Sequence, residues 1–372
     1  MRYSDIKIVE ALGDETPATQ MGGVKVGADT VDPKEIADLQ QQVADRVMKV
    51  ADSSVLHRVE AILRKGGITR ISNAYFKKDS DAEKFVQRLA TMIIELDIPT
   101  TDKLQFLKEF ATTNMIVPDQ LFDGSGTPKS MDSWFKGSTT AQTMFKAMIN
   151  DPGLIGKNAG EAGPGELAIA CFHRQITAGT DPKASYDLKF GNDLVEVKTS
   201  TGKGGGGRWT AMNDYPLVTY MQSSESKLDP KKVPKSVTVF KTTGVKALPN
   251  IVDILSDPVY LKEGETNPLM AAEQQAIFKR LLELAYPNAD PKLIENAAST
   301  YPQHTKESIA PVVFASYKFK QDFTSMLLMK AGGGNITTLH FSDLSVAADK
   351  FSLGQLYLSG QQRGMSMQAT LR

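Results

Sequence analysis

Residues 185–200 are the part of the sequence that most restricts the fold. Two short runs in which polar and apolar residues alternate lie on either side of Gly191–Asn192. Two such runs joined by two turn residues predict a β-hairpin. In the register of a two-residue turn, Phe190 lies opposite Asp193, and the pairs further from the turn follow in order. The chain must therefore build a sheet around this hairpin, with one face apolar and buried.

The same register places two acidic residues opposite each other. Asp187 faces Glu196, with their Cβ atoms about 4.5–5.5 Å apart, and Lys198 lies on the same face as Glu196. The apolar residues of the opposite face are Leu188, Phe190, Val195 and Val197. Two carboxylates at that spacing repel each other unless a cation binds them, and carboxylate oxygens suit Mg²⁺. The pair therefore predicts a metal site.

A helix is predicted just before the hairpin. It begins at Pro164, continues to about Ala178 and ends at Gly179. Its apolar stripe consists of Leu167, Ala170 and Cys171. Glu166 lies in the first turn, on a different face of the helix.

This order of elements resembles the PD-(D/E)xK nuclease superfamily over roughly residues 160–200. By that resemblance Glu166 is the helix glutamate and Asp187 is the first-strand aspartate, preceded by Tyr186 rather than by proline. Glu196-Val197-Lys198 matches the E-x-K of the second strand. A Glu-x-Lys triplet alone is frequent on any solvated strand, so its value comes from the facing aspartate and the upstream helix.

The resemblance implies phosphodiester hydrolysis. Asp187, Glu196 and the carbonyl of Val197 would hold Mg²⁺ or Mn²⁺ against the scissile phosphate. The metal would withdraw charge from the phosphate and lower the pKa of a bound water. Lys198 would orient that water or neutralise charge in the transition state. Glu166 would bind the metal through water or help to hold a second metal ion, and the products would carry 5′-phosphate and 3′-hydroxyl ends.

The glycine-rich segment 201–207 follows the second strand directly. It is not a P-loop, because Val197 stands where that motif needs its first glycine. Lys203 and Arg208 could contact the phosphates of a nucleic acid, and Trp209 could stack on a base. The alternative is a flexible connector whose Trp209 anchors the following helix in the core. The sequence alone leaves both open.

Local charge favours a polyanionic partner. The whole chain has 43 Lys plus Arg and 43 Asp plus Glu, so no overall field marks it as a nucleic-acid binder. Between Lys198 and Lys246, however, there are nine basic residues and three acidic ones. This excess beside a carboxylate site fits a polyanionic partner, which for a nuclease is a nucleic acid, with DNA as the expected substrate. A solvated lysine-rich loop around residues 229–232 would give the same composition.

Periodicity along the rest of the chain predicts further helices and strands, beginning with an N-terminal helical domain. The resemblance implies an α/β protein in which this domain precedes a restriction-endonuclease-like α/β core with a mixed central sheet flanked by helices. The predicted division is a flexible lead-in over 1–31, a helical domain over 32–130, a nuclease-like core with insertions over 131–345 and a C-terminal tail over 346–372. Outside the 165–178 helix, the predicted helices cover about 32–65, 81–96, 102–113, 133–148, 266–286 and 291–299. The core sheet is expected to contain strands 186–190, 194–200, 237–241, 325–330 and 336–341.

Several classes of protein are disfavoured. Cys171 is the only cysteine, which excludes a disulfide framework and a multi-cysteine zinc site. His173 and Cys171 are expected to pack in the core rather than to bind a ligand. No apolar run is long enough for a bilayer and the first residues have no signal-peptide core, so we expect a cytoplasmic protein without a membrane partner, in the host cytoplasm or the virion if of phage origin. A homo-oligomer or a larger assembly stays open.

A second hypothesis comes from another class of protein. A structural or assembly protein, such as one of a phage particle, could keep a nuclease-like fold without turnover. The neutral overall charge and the polar C-terminal segment are compatible with it. Retention of all four expected polar residues favours the enzyme, because an unused site has no physical reason to keep opposed carboxylates.

Overall fold

The structure is a computed structural model and forms two compact units. The described residues are 53–76, 78–151, 154, 163–179, 186–200, 207–210, 216–241, 248–264, 269–332, 334–356, 358 and 366–372. The first unit comprises residues 1–203 and 325–340, and the second comprises 204–324 and 341–372. This division differs from the predicted boundaries at 130 and 345. The predicted lead-in over 1–31 lies outside the described residues.

Helices supply most of the first unit. They are α1 (Ser53–Lys65), α2 (Ile68–Tyr75), α3 (Asp79–Glu95), α4 (Thr100–Thr112), α5 (Pro118–Leu121), α6 (Met131–Trp134), α7 (Thr139–Asn150) and α8 (Pro164–Phe172). The longer ones are amphipathic: α3, for example, buries Phe85, Leu89 and Ile93, which recur every four residues along one face. The helices predicted over 81–96 and 102–113 are confirmed as α3 and α4, and α1 is the described part of the one predicted over 32–65.

The strands among the described residues are β1 (Lys129–Ser130), β2 (Thr177–Ala178), β3 (Leu188–Phe190), β4 (Asp193–Ser200), β5 (Gly207–Thr210), β6 (Ser325–Gly332), β7 (Asn335–Phe341), β8 (Phe351–Leu353) and β9 (Ser366–Leu371). Six of them form one mixed sheet in the order β1-β7-β6-β4-β3-β2. The strand β4 is central, with β3 antiparallel on one edge and β6 parallel on the other. A mixed sheet with helices was predicted, and this coarse architecture is confirmed.

The predicted hairpin register is confirmed. Phe190 pairs with Asp193, and Leu188 pairs with Val195. Gly191 takes a φ of +59° at the first central position of the turn, where a II′ turn requires a positive φ that glycine adopts without strain. Leu188 and Val195 are fully buried on one face of this hairpin.

Helices and sheet of the first unit share one hydrophobic core. It runs from Val55 in α1 to Ile336 in β7, with α8 among its members. Phe172, the last residue of α8, lies within 5.3–6.1 Å (ring centroids) of four aromatic rings: Phe106, Phe110, Phe135 and Phe145. These contacts fix α8 against the helices that precede it.

The second unit contains helices α9 (Pro216–Gln222), α10 (Ile251–Ser256), α11 (Ala271–Ala285), α12 (Pro291–Ser299) and α13 (Lys306–Gln321). Short 3₁₀ turns cover Pro258–Tyr260 and Leu344–Val346. The strands β5, β9 and β8 form a separate antiparallel sheet in that order. The helices predicted over 266–286 and 291–299 are confirmed as α11 and α12. The helix α13 was not predicted.

Four local predictions were wrong. The single helix predicted over 133–148 is two helices, α6 and α7, with residues 135–138 between them. The helix at Pro164 ends at Phe172, not at Ala178, because Thr177–Ala178 pair with Lys189 and Leu188 as the edge strand β2. Residues 237–241 form no strand: Thr238 makes an isolated bridge to Asn250. The region predicted as a tail contains β8 and β9, whose backbone groups pair with each other.

Candidate active site

The four predicted polar residues come together on one side of β4. Glu196 and Lys198 lie two residues apart on the same face of that strand. Asp187 lies just before β3, and Glu166 lies in the first turn of α8. Glu166 and Glu196 are each only 2% exposed. Since carboxylates are almost never fully buried without partners, this burial needs an electrostatic explanation.

Asp187 lies at a bend beside the strand ladder rather than within it. Its backbone N–H donates to the carbonyl of Val195 (3.1 Å), and its carbonyl accepts from the N–H of Gly179 (3.1 Å). The Oδ2 atom of Asp187 accepts a hydrogen bond from the backbone N–H of Val197 (2.7 Å). The regular ladder thus ends at Leu188–Val195, one residue short of the predicted Asp187–Glu196 pair, and the Asp187 carboxylate takes the place of a backbone acceptor.

Lys198 bridges the two strands of the hairpin. Its Nζ atom forms an ion pair with Oε1 of Glu196 and lies 3.9 Å from Oδ2 of Asp187. The side chain of Lys198 is 21% exposed, so one end of this cluster reaches solvent. A buried ion pair of this kind orients the lysine ammonium toward the carboxylates.

The pKa of Glu166 is strongly perturbed by its surroundings. Burial raises its pKa well above the usual range, and the negative charge of Asp187 and a hydrogen bond with the Asp187 carboxyl raise it further. Glu196 adds to this effect, while Lys198 lowers the pKa. The Oε1 atom of Glu166 also accepts a hydrogen bond from the N–H of Gly163, as in a capping box.

A glycine allows α8 to approach the sheet closely enough for this contact. A Cβ atom on Gly165 would lie 2.2 Å from Oγ1 of Thr199 in β4 and 3.3 Å from the sulfur of Met329 in β6. Any larger residue would push α8 away from the strands. Gly165 therefore sets the distance between Glu166 and the carboxylates of the hairpin.

The charges of the cluster fit a divalent cation. Three carboxyl groups (Glu166, Asp187 and Glu196) surround one ammonium group, so two negative charges remain if all four ionise. Such an excess is costly when buried, and either protons or a cation of charge +2 removes it. Hard oxygen ligands suit Mg²⁺ or Mn²⁺. Within the described part of the chain, however, no group of three or more His, Cys, Asp and Glu side chains is arranged to hold a metal ion.

Tyr75, at the end of α2, was not predicted to belong to the site. Its hydroxyl donates a hydrogen bond to the backbone carbonyl of Asp187 (3.4 Å). Burial raises the pKa of Tyr75 well above its usual value, and the charges of Glu166 and Asp187 raise it further. No motif could have revealed this residue, because it lies 112 positions before Asp187 and meets it only through the tertiary fold.

The predicted nucleic-acid contacts have different outcomes. Trp209 is fully buried, with its ring 5.5 Å from Phe314 and 5.6 Å from Phe351, so it is a core residue and does not stack on a base. Arg208 lies in β5, where its backbone pairs with Gln368. Lys203 lies outside the described residues.

The basic stretch that follows is partly neutralised by acidic neighbours. Lys227 forms an ion pair with Glu273 (2.7 Å), and Lys232 lies 3.8 Å from Asp229. Lys232 also donates to the carbonyl of Leu261 (2.8 Å). These lysines serve the local structure of the second unit, which weakens the argument from composition.

A Ser-His-Asp cluster lies at the starts of β4 and β6 and near the end of β7, but it is not arranged as a catalytic triad. Nδ1 of His340 accepts a hydrogen bond from the N–H of Gly124 (2.8 Å), so the ring proton lies on Nε2. Nε2 is 2.8 Å from Oγ of Ser325, and that hydroxyl donates to Oδ1 of Asp193 (2.7 Å). A serine nucleophile needs a histidine nitrogen that can accept its proton. This cluster is a structural hydrogen-bond network.

His173 and Cys171 are core residues, as predicted. His173 is 5% exposed and burial lowers its pKa to about 4, so it is neutral at physiological pH. Burial raises the pKa of the Cys171 thiol to about 12, which keeps it unreactive.

Comparisons with known proteins identify no relative: no family model, curated protein or solved structure matches the chain. Among the described residues, no helix combines the length and apolar character that a membrane crossing requires.

Proposed function

We propose that the protein is a metal-dependent nuclease that hydrolyses phosphodiester bonds of DNA through a PD-(D/E)xK-type site. The observation that carries the proposal is the buried cluster of three carboxyl groups around one lysine ammonium. In this proposal the mixed sheet is a restriction-endonuclease-like core, and the N-terminal helices share its hydrophobic core. We propose endonuclease action and Mg²⁺ or Mn²⁺ as the cofactor.

Each residue of the cluster has a role in the proposed reaction. Asp187, Glu196 and the carbonyl of Val197 would hold the metal ion, which when bound lowers the pKa of water and withdraws charge from phosphate. Lys198, which is paired with Glu196, would orient the attacking water or stabilise the charge that develops on the phosphate oxygens. Glu166, whose pKa is raised by burial and by the charge of Asp187, would bind the metal through water or help to hold a second one.

The partner in this proposal is nucleic acid. Lys203 and Arg208 follow the carboxylate strand in sequence and would supply phosphate contacts. Trp209 has no part in it, because its ring is enclosed by core phenylalanines. The net negative charge of the cluster without metal would repel a polyanion, so a cation would have to bind before the nucleic acid.

Cleavage of DNA with and without metal tests the proposal. Circular plasmid and single-stranded DNA are incubated with Mg²⁺ or Mn²⁺, and then with EDTA. We expect metal-dependent cleavage that is abolished in Lys198→Ala and kept in Lys189→Ala, a matched lysine of the same hairpin. Cleavage of the circular substrate identifies an endonuclease, since a circle offers no ends.

The same assay can overturn the proposal. If neither DNA nor RNA is cleaved with any metal, the nuclease proposal fails and an assembly role for the fold is favoured. Cleavage that persists in Lys198→Ala at the level of the unaltered protein would also contradict it, because the activity would then belong to another site or to a contaminant.

A further inference from the structure

Helix α2 is anchored to the elements that carry the carboxylate cluster. The guanidinium group of Arg70 donates to the carbonyls of Ile176 (2.7 Å), Ala170 (3.0 Å) and His173 (3.4 Å). These carbonyls lie at and just after the C-terminus of α8, where helix carbonyls lack intrahelical partners and attract a cation. Arg70 thereby fixes α2 to the helix that presents Glu166.

The other end of α2 is also fixed. The ring of Phe76, just after the helix, lies 5.2 Å from the ring of Phe85 in α3. Between these two anchors α2 has little freedom to shift along the sheet. The position of Tyr75 is therefore determined by the packing of the helices and not by its own contact with Asp187.

Asp187 needs support from outside its own strand. It lies at a bend before β3, so it lacks the regular ladder that holds the residues after it. Its carbonyl oxygen receives two hydrogen bonds, from the N–H of Gly179 (3.1 Å) and from the hydroxyl of Tyr75 (3.4 Å). Both donors constrain the backbone from which the carboxylate extends.

We propose that Tyr75 is a positioning residue for Asp187, and that helix α2 is through it a part of the nuclease site. This inference rests on the proposed function. The hydroxyl of Tyr75 restricts the peptide plane of Asp187, and the N–H of Val197 then fixes the carboxylate at the end of that side chain. A ligand whose backbone is held in advance binds a metal without losing further conformational freedom.

Replacing Tyr75 by phenylalanine tests the inference, because it removes the hydroxyl and keeps the ring. We expect Mn²⁺ to bind the full-length Tyr75→Phe protein about tenfold more weakly than the unaltered protein in calorimetry. The Mg²⁺ concentration for half-maximal DNA cleavage should rise by a similar factor, with the maximal rate restored at saturating metal. Tyr260→Phe, in the second unit, is the control and should bind Mn²⁺ as the unaltered protein does.

Hydrogen exchange supplies a readout that needs no metal. Amides of residues 186–190 should exchange faster in Tyr75→Phe, while the circular dichroism spectrum stays unchanged. Equal Mn²⁺ affinity of Tyr75→Phe and the unaltered protein overturns the inference and leaves the nuclease proposal standing. If the unaltered protein binds no Mn²⁺ and cleaves no DNA, the nuclease proposal fails and this inference fails with it.

Discussion

At the scale of single residues, the charge of Asp187 should destabilise the metal-free protein. Asp187→Asn removes one of three crowded carboxylates, and its side-chain oxygen can still accept from the N–H of Val197. We expect a gain of about 0.5–1 kcal/mol in the free energy of unfolding, measured by urea in EDTA, together with loss of cleavage. Asp119→Asn, at an exposed position of α5, is the control. A lower stability of Asp187→Asn would contradict the view that repulsion dominates the cluster.

His173 should make stability depend on pH. Its folded-state pKa is lowered from 6.5 to about 4, so between these values the unfolded chain binds more protons than the folded one. The free energy of unfolding therefore falls as pH falls through this window, by up to about 3 kcal/mol from this group. The fall should be smaller in His173→Asn, whose oxygen can replace Nδ1 as the acceptor for the N–H of Gln175.

Urea unfolding between pH 4 and 7 measures this effect in the unaltered protein and in His173→Asn. Identical profiles for His173→Asn and the unaltered protein would show that His173 takes up its proton equally well in both states.

At the scale of elements, the packing of α8 on the sheet decides the geometry of the site. Gly165→Ala places a Cβ 2.2 Å from Oγ1 of Thr199, so α8 must move away and carry Glu166 with it. We expect a loss of about 1–3 kcal/mol in stability and a strong loss of cleavage.

A second substitution should rescue Gly165→Ala. Thr199→Ala removes the clashing hydroxyl, and the nearest remaining atom of that side chain, Cβ, lies at an ordinary contact distance of 3.4 Å. The double variant should therefore be more stable in urea than Gly165→Ala alone. No recovery would mean that Gly165 is needed for its backbone and not for its small size.

The predictions from the sequence were correct for those elements that interactions between nearby residues determine. The hairpin around Gly191 and its register follow from a two-residue turn and strict alternation, and both are as predicted. The predicted end of α8 was wrong because residues 177–178 pair with β3 as an edge strand, and no local pattern encodes that contact. Apolar and polar residues alternate over 237–241 as they do in a strand. The backbone groups of Val237 and Val239, however, form hydrogen bonds with residues 358 and 356 in an irregular segment. The roles of Tyr75 and Gly165 were not predicted, because both residues come close to the site only through the packing of the helices.

At the scale of the whole molecule, the sequence suggested a separate helical domain, and the structure has instead a shared core. The cluster that begins at Val55 continues without a break to the buried residues of β4 and β6. A domain boundary read from composition assumes that each segment buries its own apolar face. Helices α1–α4 bury their apolar faces partly against α7 and α8. The domain boundary predicted at residue 130 therefore marks no structural division.

The two tryptophans allow each unit to be followed separately. Trp134 is fully buried in the first unit and Trp209 in the second, and the chain has no others. Fluorescence of Trp209→Phe reports on the first unit, and that of Trp134→Phe reports on the second. Because each unit has its own core, we expect urea transitions with different midpoints. Coinciding transitions in both variants would show that the units unfold as one.

The parallel pairing of β4 with β6 has a consequence for the newly made chain. The ribosome synthesises the whole segment between residues 200 and 325 after β4 and before β6, the parallel neighbour of β4. At about 5–20 residues per second, that delay lasts roughly 6–25 s. During this time the strand that carries Glu196 and Lys198 has one open edge, which is the kind of surface that other chains add to. A chaperone that covers nascent chains should therefore raise the yield of this protein more than that of one whose central strands are consecutive.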